Sequence, residues 1–211
     1  MNQIPFNLYD WLAYLGPGFL ASYCVHSAFG LPIPDQGTFS NVVFWIFASY
    51  FMGHIVAQFS QIVLEDIILG KIIGKPEFYL LGGSSLWKYI FPRYTKPLPE
   101  SQIQVILRNT GGSVTRSQEV FHTAFFSVKG ETEMKNRLDT FIAQYGAMRN
   151  MAFTLLIFSF VTLGTNFLPL DINAVQFFAL FTVSFMLFLR FLKFFRIYTR
   201  EVFGTYGAKC L

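Results

Sequence analysis

FSNVVFWIFASYFMGHIVAQFSQIVL, residues 39–64, contains no aspartate, glutamate, lysine or arginine. The hydrocarbon core of a bilayer, about 30 Å thick, is crossed by about 20 helical residues. This stretch is long enough to cross it with residues to spare. We therefore expect a transmembrane helix from about Phe39 to Leu64, with its two ends at opposite membrane surfaces.

Three other apolar stretches predict further transmembrane helices. They run from about Trp11 to Leu31, Ala147 to Leu168 and Ala174 to Leu189. Gly16-Pro17-Gly18 interrupts the first stretch and predicts a kink, which neighbouring helices can accommodate in a membrane bundle. Turns at 32–37 and 169–173 would join the four helices as two hairpins.

The composition supports a membrane protein and offers no sign of a bound metal or cofactor. Hydrophobic residues make up 53% of the 211 residues and charged residues 13%, outside the usual balance of soluble domains. The 27 phenylalanines exceed the needs of a soluble core of this size, so we expect many to face lipid. Cys24 and Cys210 lie outside any Cys/His cluster, so we expect neither a metal site nor a cofactor.

The distribution of positive charge predicts the orientation. Eleven of the 16 Lys and Arg residues fall between Lys71 and Arg149, the other five lie between Arg190 and Lys209, and neither hairpin turn has any. Lys and Arg near the ends of spans are retained in the cytoplasm. The middle segment and both termini should therefore be cytoplasmic, where the net charge of +4 faces anionic lipid and nucleotides.

We therefore predict an all-α integral membrane protein built from four segments. They are an N-terminal transmembrane hairpin at 1–64, a cytoplasmic helical insert at 65–146, a C-terminal transmembrane hairpin at 147–195 and a basic tail at 196–211. In the insert, the second span should continue to Gly74, followed by helices at about Ser101–Asn109 and Thr115–Val128. From about Thr132, one uninterrupted helix should run into the third span and could act as a lever.

Two aromatic and basic stretches suit the inner headgroup level. The first is Phe78–Tyr94, for which a ligand role is the alternative. The second is a membrane anchor in which basic and aromatic residues alternate: Arg190, Phe191, Lys193, Phe194, Phe195, Arg196 and Arg200.

The second span carries a polar stripe with spacings of 4, 4, 3 and 4: Tyr50, His54, Gln58, Gln61 and Glu65. These positions share one helix face, which should point into the bundle or a wet cavity because polar groups are costly in lipid. One interpretation is hydrogen bonding between helices, at about 0.6–2 kcal/mol per contact. The other is a pore lined by copies of this face around a symmetry axis.

Basic residues in the insert form a candidate ligand site: Arg108, Arg116, His122, Lys129 and Arg137. They are interleaved with Phe121, Phe125 and Phe126, and such mixtures bind phosphates and stacked bases. A solvated helical surface is the alternative, because eight acidic residues between Glu65 and Arg149 nearly balance the eleven basic ones.

The junction Tyr145-Gly146-Ala147-Met148-Arg149-Asn150 lies where the long helix should meet the membrane. Arg149 could extend to the headgroups. Alternatively, it could pair with Glu65 or Asp66, and we expect Arg149 and Asn150 then to couple the insert to the bundle.

Sequence motifs of enzymes are missing, with no phosphate loop, HExxH, GxSxG or zinc spacing. We therefore expect no enzyme and name no catalytic residue. A lipid hydrolase that uses His122 and Glu119 is the remaining enzymatic alternative.

The two hairpins, the basic insert and the 145–150 junction resemble small four-span bacterial membrane proteins, among them components of Hailong-type and Kiwa-type anti-phage defence systems. The resemblance covers the whole chain but carries over no site residue. It implies a homo-oligomer, such as a tetramer, in the bacterial inner membrane that senses infection and alters permeability. In the Hailong type, single-stranded DNA oligomers made by a companion nucleotidyltransferase control a channel.

The resulting hypothesis is an oligomeric channel-like effector gated by a cytoplasmic ligand, such as a nucleotide or single-stranded DNA, or by a soluble partner encoded nearby. The alternative is a non-conducting scaffold that recruits a soluble partner through the insert and tail.

Overall fold

A computed structural model describes residues 11–29, 39–130, 132–164 and 170–210, and the side chains of 13–26, 39–130, 134–163 and 174–210. The described residues form helices joined by turns, without a strand. The helices are α1 (Gly16–Phe29), α2 (Phe39–Ser60), α3 (Pro76–Leu80), α4 (Glu100–Thr110), α5 (Ser117–Val128), α6 (Thr132–Gly164) and α7 (Leu170–Lys209). The predicted all-α class is therefore confirmed for the described residues.

Two stretches next to these helices have the wider turns of a π-helix, with i→i+5 hydrogen bonds. One, Trp11–Leu15, leads directly into α1, so the hydrogen-bond pattern changes at the predicted kink at Gly16. The other, Gln61–Ile73, continues α2 and is called the π segment below. It ends at Gly74, whose φ of +104° is a conformation that glycine adopts readily. The predicted stop of this helix at Gly74 is confirmed.

Three regions of the described chain form helices long and apolar enough to cross a membrane. They lie in Phe39–Leu80, Met134–Leu163 and Ala174–Lys209. The described part of the predicted first span, residues 11–29, is helical. The rest of that span, the turn at 32–37 and the end of the third span at Leu168 lie outside the described residues.

The chain divides into two compact units. The bundle unit falls within Met1–Glu65 and Ala143–Phe191, and the insert unit within Asp66–Ile142 and Leu192–Leu211. In the bundle unit, α1 and α2 approach so closely that a Cβ added to Gly18 would lie 1.8 Å from the carbonyl oxygen of Ser49. Small residues permit such contacts between membrane helices.

The insert unit has its own apolar core, with Leu80, Ile106, Val120 and Phe203 buried. Its predicted helices are confirmed with shifted bounds, since α4 begins one residue early at Glu100 and α5 begins at Ser117. The long helix predicted from Thr132 is confirmed as α6.

Two predictions near the C-terminal end of the chain are wrong. Residues 170–173, predicted as part of a turn, are the first residues of α7. The predicted membrane anchor is also wrong for Phe191 and Phe195, whose rings are buried within the protein. Their helical spacing is equally compatible with lipid and with a protein core, and packing decides between them.

Candidate functional site

An ion pair between Arg149 of α6 and Glu65 of the π segment lies in the bundle unit. Nη1 of Arg149 is 2.6 Å from Oε2 of Glu65, and the two side chains are 10% and 15% exposed. Either charge alone would be costly in such a buried position, so each is stabilised by the other. The predicted pairing with Glu65 is confirmed, whereas extension of Arg149 to the headgroups is excluded by its burial.

Ser60 and Asn150 extend this ion pair into a buried network. Nε of Arg149 donates to Oγ of Ser60 at 3.1 Å and to Oδ1 of Asn150 at 3.3 Å. Oγ of Ser60 donates to the same Oδ1 at 2.5 Å, and Nδ2 of Asn150 donates to the carbonyl oxygen of Ala13 at 2.6 Å. The network therefore joins the π-helical stretch before α1, the end of α2, and α6.

A polar cavity of about 220 Å³ lies beside the ion pair in the bundle unit. It is lined by Tyr14, His54, Ala57, Gln58, Gln61, Glu65, Tyr145 and Arg149. A water molecule needs about 10–15 Å³ of such volume and several polar partners, so the cavity has room for several waters.

Four of the five residues of the predicted polar stripe line this cavity, and the fifth, Tyr50, does not. His54, Gln58, Gln61 and Glu65 line the cavity. Tyr50 contributes indirectly, because its ring contacts that of His54 edge-on at 4.6 Å while Tyr14 stacks on His54 at 4.2 Å. Glu65 is paired and mostly buried, whereas His54, Gln58 and Gln61 are exposed on the single chain.

The candidate ligand residues of the insert do not form one site. Arg137 pairs with Glu201 at 2.9 Å, Lys129 lies over the ring of Phe125 at 5.6 Å, and Arg108 is exposed on α4. Phe121, a candidate for base stacking, instead contacts two rings of the insert unit, Tyr198 and Phe203.

Arg116 and His122 do line a common cleft of about 700 Å³ at the start of α5 in the insert unit. Lys71 and Lys75 also line it, and so do three carboxylates, from Asp66, Glu77 and Glu119. Known ligand pockets have volumes of about 300–1,000 Å³. The cleft is thus large enough for a small ligand, with both signs of charge in its walls.

Several residues of these sites were not identified from the sequence. Ser60 and Tyr14 resemble ordinary residues of a membrane helix, and the carbonyl of Ala13 has no sequence signature. The small residues Ser49, Gly53, Ala57 and Ser60 recur at spacings of 4, 4 and 3, a pattern that could have suggested Ser60 as a helix-interface residue.

The site therefore combines a polar cavity with a buried ion pair. Within the part of the chain that the structure describes, no group of three or more His, Cys, Asp or Glu residues is placed to hold a metal ion. Comparisons with family models, curated proteins and solved structures give no match.

Proposed function

We propose that the protein is an oligomeric, channel-like membrane effector whose conduit is lined by the polar face of α2 and the π segment. One observation carries the proposal: His54, Gln58 and Gln61 are exposed on a helix apolar enough to cross a membrane. Polar side chains at membrane depth need water or protein around them. Copies arranged around a symmetry axis would provide both.

The proposed topology has four spans in two hairpins, with both termini in the cytoplasm of a bacterial inner membrane. Its support is the asymmetry of charge, since all 16 Lys and Arg residues lie outside the two predicted hairpin turns. A role in anti-phage defence is the biological setting that we propose on the basis of the resemblance in architecture.

Gating would come from an anionic ligand or a partner protein on the cytoplasmic side. The cleft lined by Arg116, His122, Lys71 and Lys75 is the ligand position that we favour in the insert unit. In the bundle unit, the Arg149–Glu65 pair would stabilise one state of the conduit, because its fixed geometry resists changes between α6 and the π segment.

Ion flux from liposomes that contain the full chain tests the proposal. Mononucleotides and single-stranded DNA oligonucleotides serve as ligand probes, and we expect wild-type protein to release potassium with at least one of them. Gln58→Leu with Gln61→Leu should abolish the flux by removing the polar lining.

Phe59→Leu is the matched control, since Phe59 is exposed on the same helix but apolar. It should conduct like wild type. Absence of wild-type flux with every probe, or unchanged flux in the Gln58 and Gln61 variant, would contradict the proposal.

A non-conducting scaffold is the second candidate. It is favoured by Phe126 of α5, which is 69% exposed and stacks on His122 at 6.5 Å. Exposed aromatic side chains often anchor protein partners. Co-purification of a stoichiometric soluble protein that is lost on Phe126→Ser, with function surviving the Gln58 and Gln61 changes, would support this function instead.

A further inference from the structure

A short turn in the insert unit exposes three large apolar side chains. Leu86, Tyr89 and Ile90 are 84%, 76% and 63% exposed. We call these three residues the apolar tip. Isolated exposed apolar residues are common on proteins, but a clustered set on one turn indicates an interaction surface.

The backbone of this turn is already hydrogen-bonded. The amides of Lys88, Tyr89 and Ile90 donate to the carbonyls of Ser85, Leu86 and Trp87 at 3.1–3.3 Å. Unsatisfied backbone groups are what normally keep irregular segments out of an apolar medium. The apolar tip can therefore enter such a medium without leaving these three donors unpaired.

Trp87 holds the turn against the end of an apolar helix. Its Nε1 donates to the carbonyl oxygen of Ile72 at 2.7 Å, and its ring stacks on Phe91 at 5.9 Å. Ile72 lies in the last turn of the π segment, which belongs to a region long and apolar enough to cross a membrane. The apolar tip is thus fixed beside the point where this helix ends.

The charged residues of the chain segment that carries the apolar tip have one sign. Between Glu77 and Glu100 the sequence contains no acidic residue, and Lys88, Arg93 and Lys96 are all exposed. Nζ of Lys88 lies 5.1 Å from the ring centroid of Tyr89. Basic residues around apolar side chains match a leaflet that contains anionic lipid.

We propose that Leu86, Tyr89 and Ile90 insert into the headgroup–acyl boundary of an anionic leaflet, with Lys88, Arg93 and Lys96 on the headgroups. This contact fastens the insert unit to the membrane surface at a point outside the spans. It depends on membrane insertion of the chain but not on ion conduction.

Depth-dependent fluorescence quenching on the full chain in vesicles tests the contact. A fluorophore is attached at Tyr89→Cys in a Cys24→Ala, Cys210→Ser background, and the control label at Ser113→Cys, also exposed in the insert unit. With phosphatidylcholine and phosphatidylglycerol vesicles, nitroxide lipids labelled near the headgroup should quench position 89 several-fold more than position 113. In vesicles of phosphatidylcholine alone, the difference should shrink.

Equal quenching at the two positions would overturn the proposal. Energy transfer between copies labelled at position 89, without quenching by lipid, would also overturn it by assigning the apolar tip to a second copy. Lys88→Gln with Arg93→Gln provides a separate check, because both side chains are exposed and should not affect folding. In this variant, the quenching at position 89 should no longer depend on phosphatidylglycerol. If that dependence is retained, the proposed role of the basic residues is wrong.

Discussion

The buried network around Arg149 and the open face of His54, Gln58 and Gln61 lie in the same bundle unit and use similar polar groups. In the network each polar group has a partner within the chain, such as Glu65 for Arg149 at 2.6 Å. The open face is exposed on the single chain. The contrast shows that the structure satisfies the polar groups of the network within the chain and leaves those of the open face accessible.

The largest effect should come from removing one half of the buried pair. Arg149→Met should lower the free energy of unfolding by about 3–5 kcal/mol, because it leaves the Glu65 carboxylate buried without its partner. Denaturant titration of the purified protein in detergent measures this change.

The double variant Arg149→Met, Glu65→Leu is the control for that experiment. It should recover much of the loss, since no buried charge remains. If the double variant is as unstable as Arg149→Met alone, the pair does not act as a unit and the comparison with the open face fails.

A second test concerns the close packing of helices on which both regions depend. Gly53→Ala should destabilise the bundle unit by about 1–3 kcal/mol, because overpacking forces backbone shifts. The added Cβ would lie 2.1 Å from the carbonyl oxygen of Tyr14. The thermal unfolding midpoint should fall accordingly.

Gly204→Ala is the matched control, because a Cβ there would meet no atom within 4 Å. Since alanine is favoured over glycine inside a helix, stability should rise by up to about 1 kcal/mol. Equal effects at Gly53 and Gly204 would mean that α2 is not packed as closely against Trp11–Leu15 as described.

An exposed ion pair sharpens the comparison further. Arg137 and Glu201 lie 2.9 Å apart, like the buried pair, but their side chains are 55% and 31% exposed. Arg137→Ala should therefore cost only about 0.2–1 kcal/mol. The loss of unfolding free energy should be smaller in high salt. A loss as large as that of Arg149→Met would show that burial does not determine how much an ion pair contributes to stability.

The smallest effect on stability is expected at the open face. Gln58→Leu with Gln61→Leu should change the free energy of unfolding by no more than about 0.5 kcal/mol, as for other exposed positions. Chemical denaturation measures stability, and the flux assay on the same variant measures conduction. A large loss of stability would instead make these glutamines part of the fold.

The long helices could be predicted from the sequence because apolar periodicity is a local property. The uninterrupted helix from Thr132 and the stop at Gly74 are both confirmed. The tail was harder to interpret, because phenylalanines at helical spacing suit lipid and protein alike. Tyr198, Val202 and Phe203 of α7 are buried in the insert unit, which only the packed structure reveals.

For the candidate site, the possible partners of Arg149 could be narrowed to Glu65 and Asp66 because charged residues at the ends of spans are few, and the structure selects Glu65. The arrangement of the candidate ligand residues in the insert could not be predicted. Arg108, Arg116 and Arg137 lie on separate elements, and the spacing of residues along the chain does not specify how those elements pack. Ser60 and the carbonyl of Ala13 were missed because such small or backbone acceptors occur in every helix.

By itself, the sequence determined the helical class, the presence of long apolar helices and the clustering of basic residues in two stretches of the chain, because each depends on neighbours along the chain. The tertiary structure decided which polar groups are satisfied. Glu65 meets Arg149 across a long stretch of chain, while Gln58 and Gln61 stay exposed on the same helix. Burial and pairing depend on residues distant in sequence, so no local pattern could distinguish the buried, paired Glu65 from the exposed glutamines.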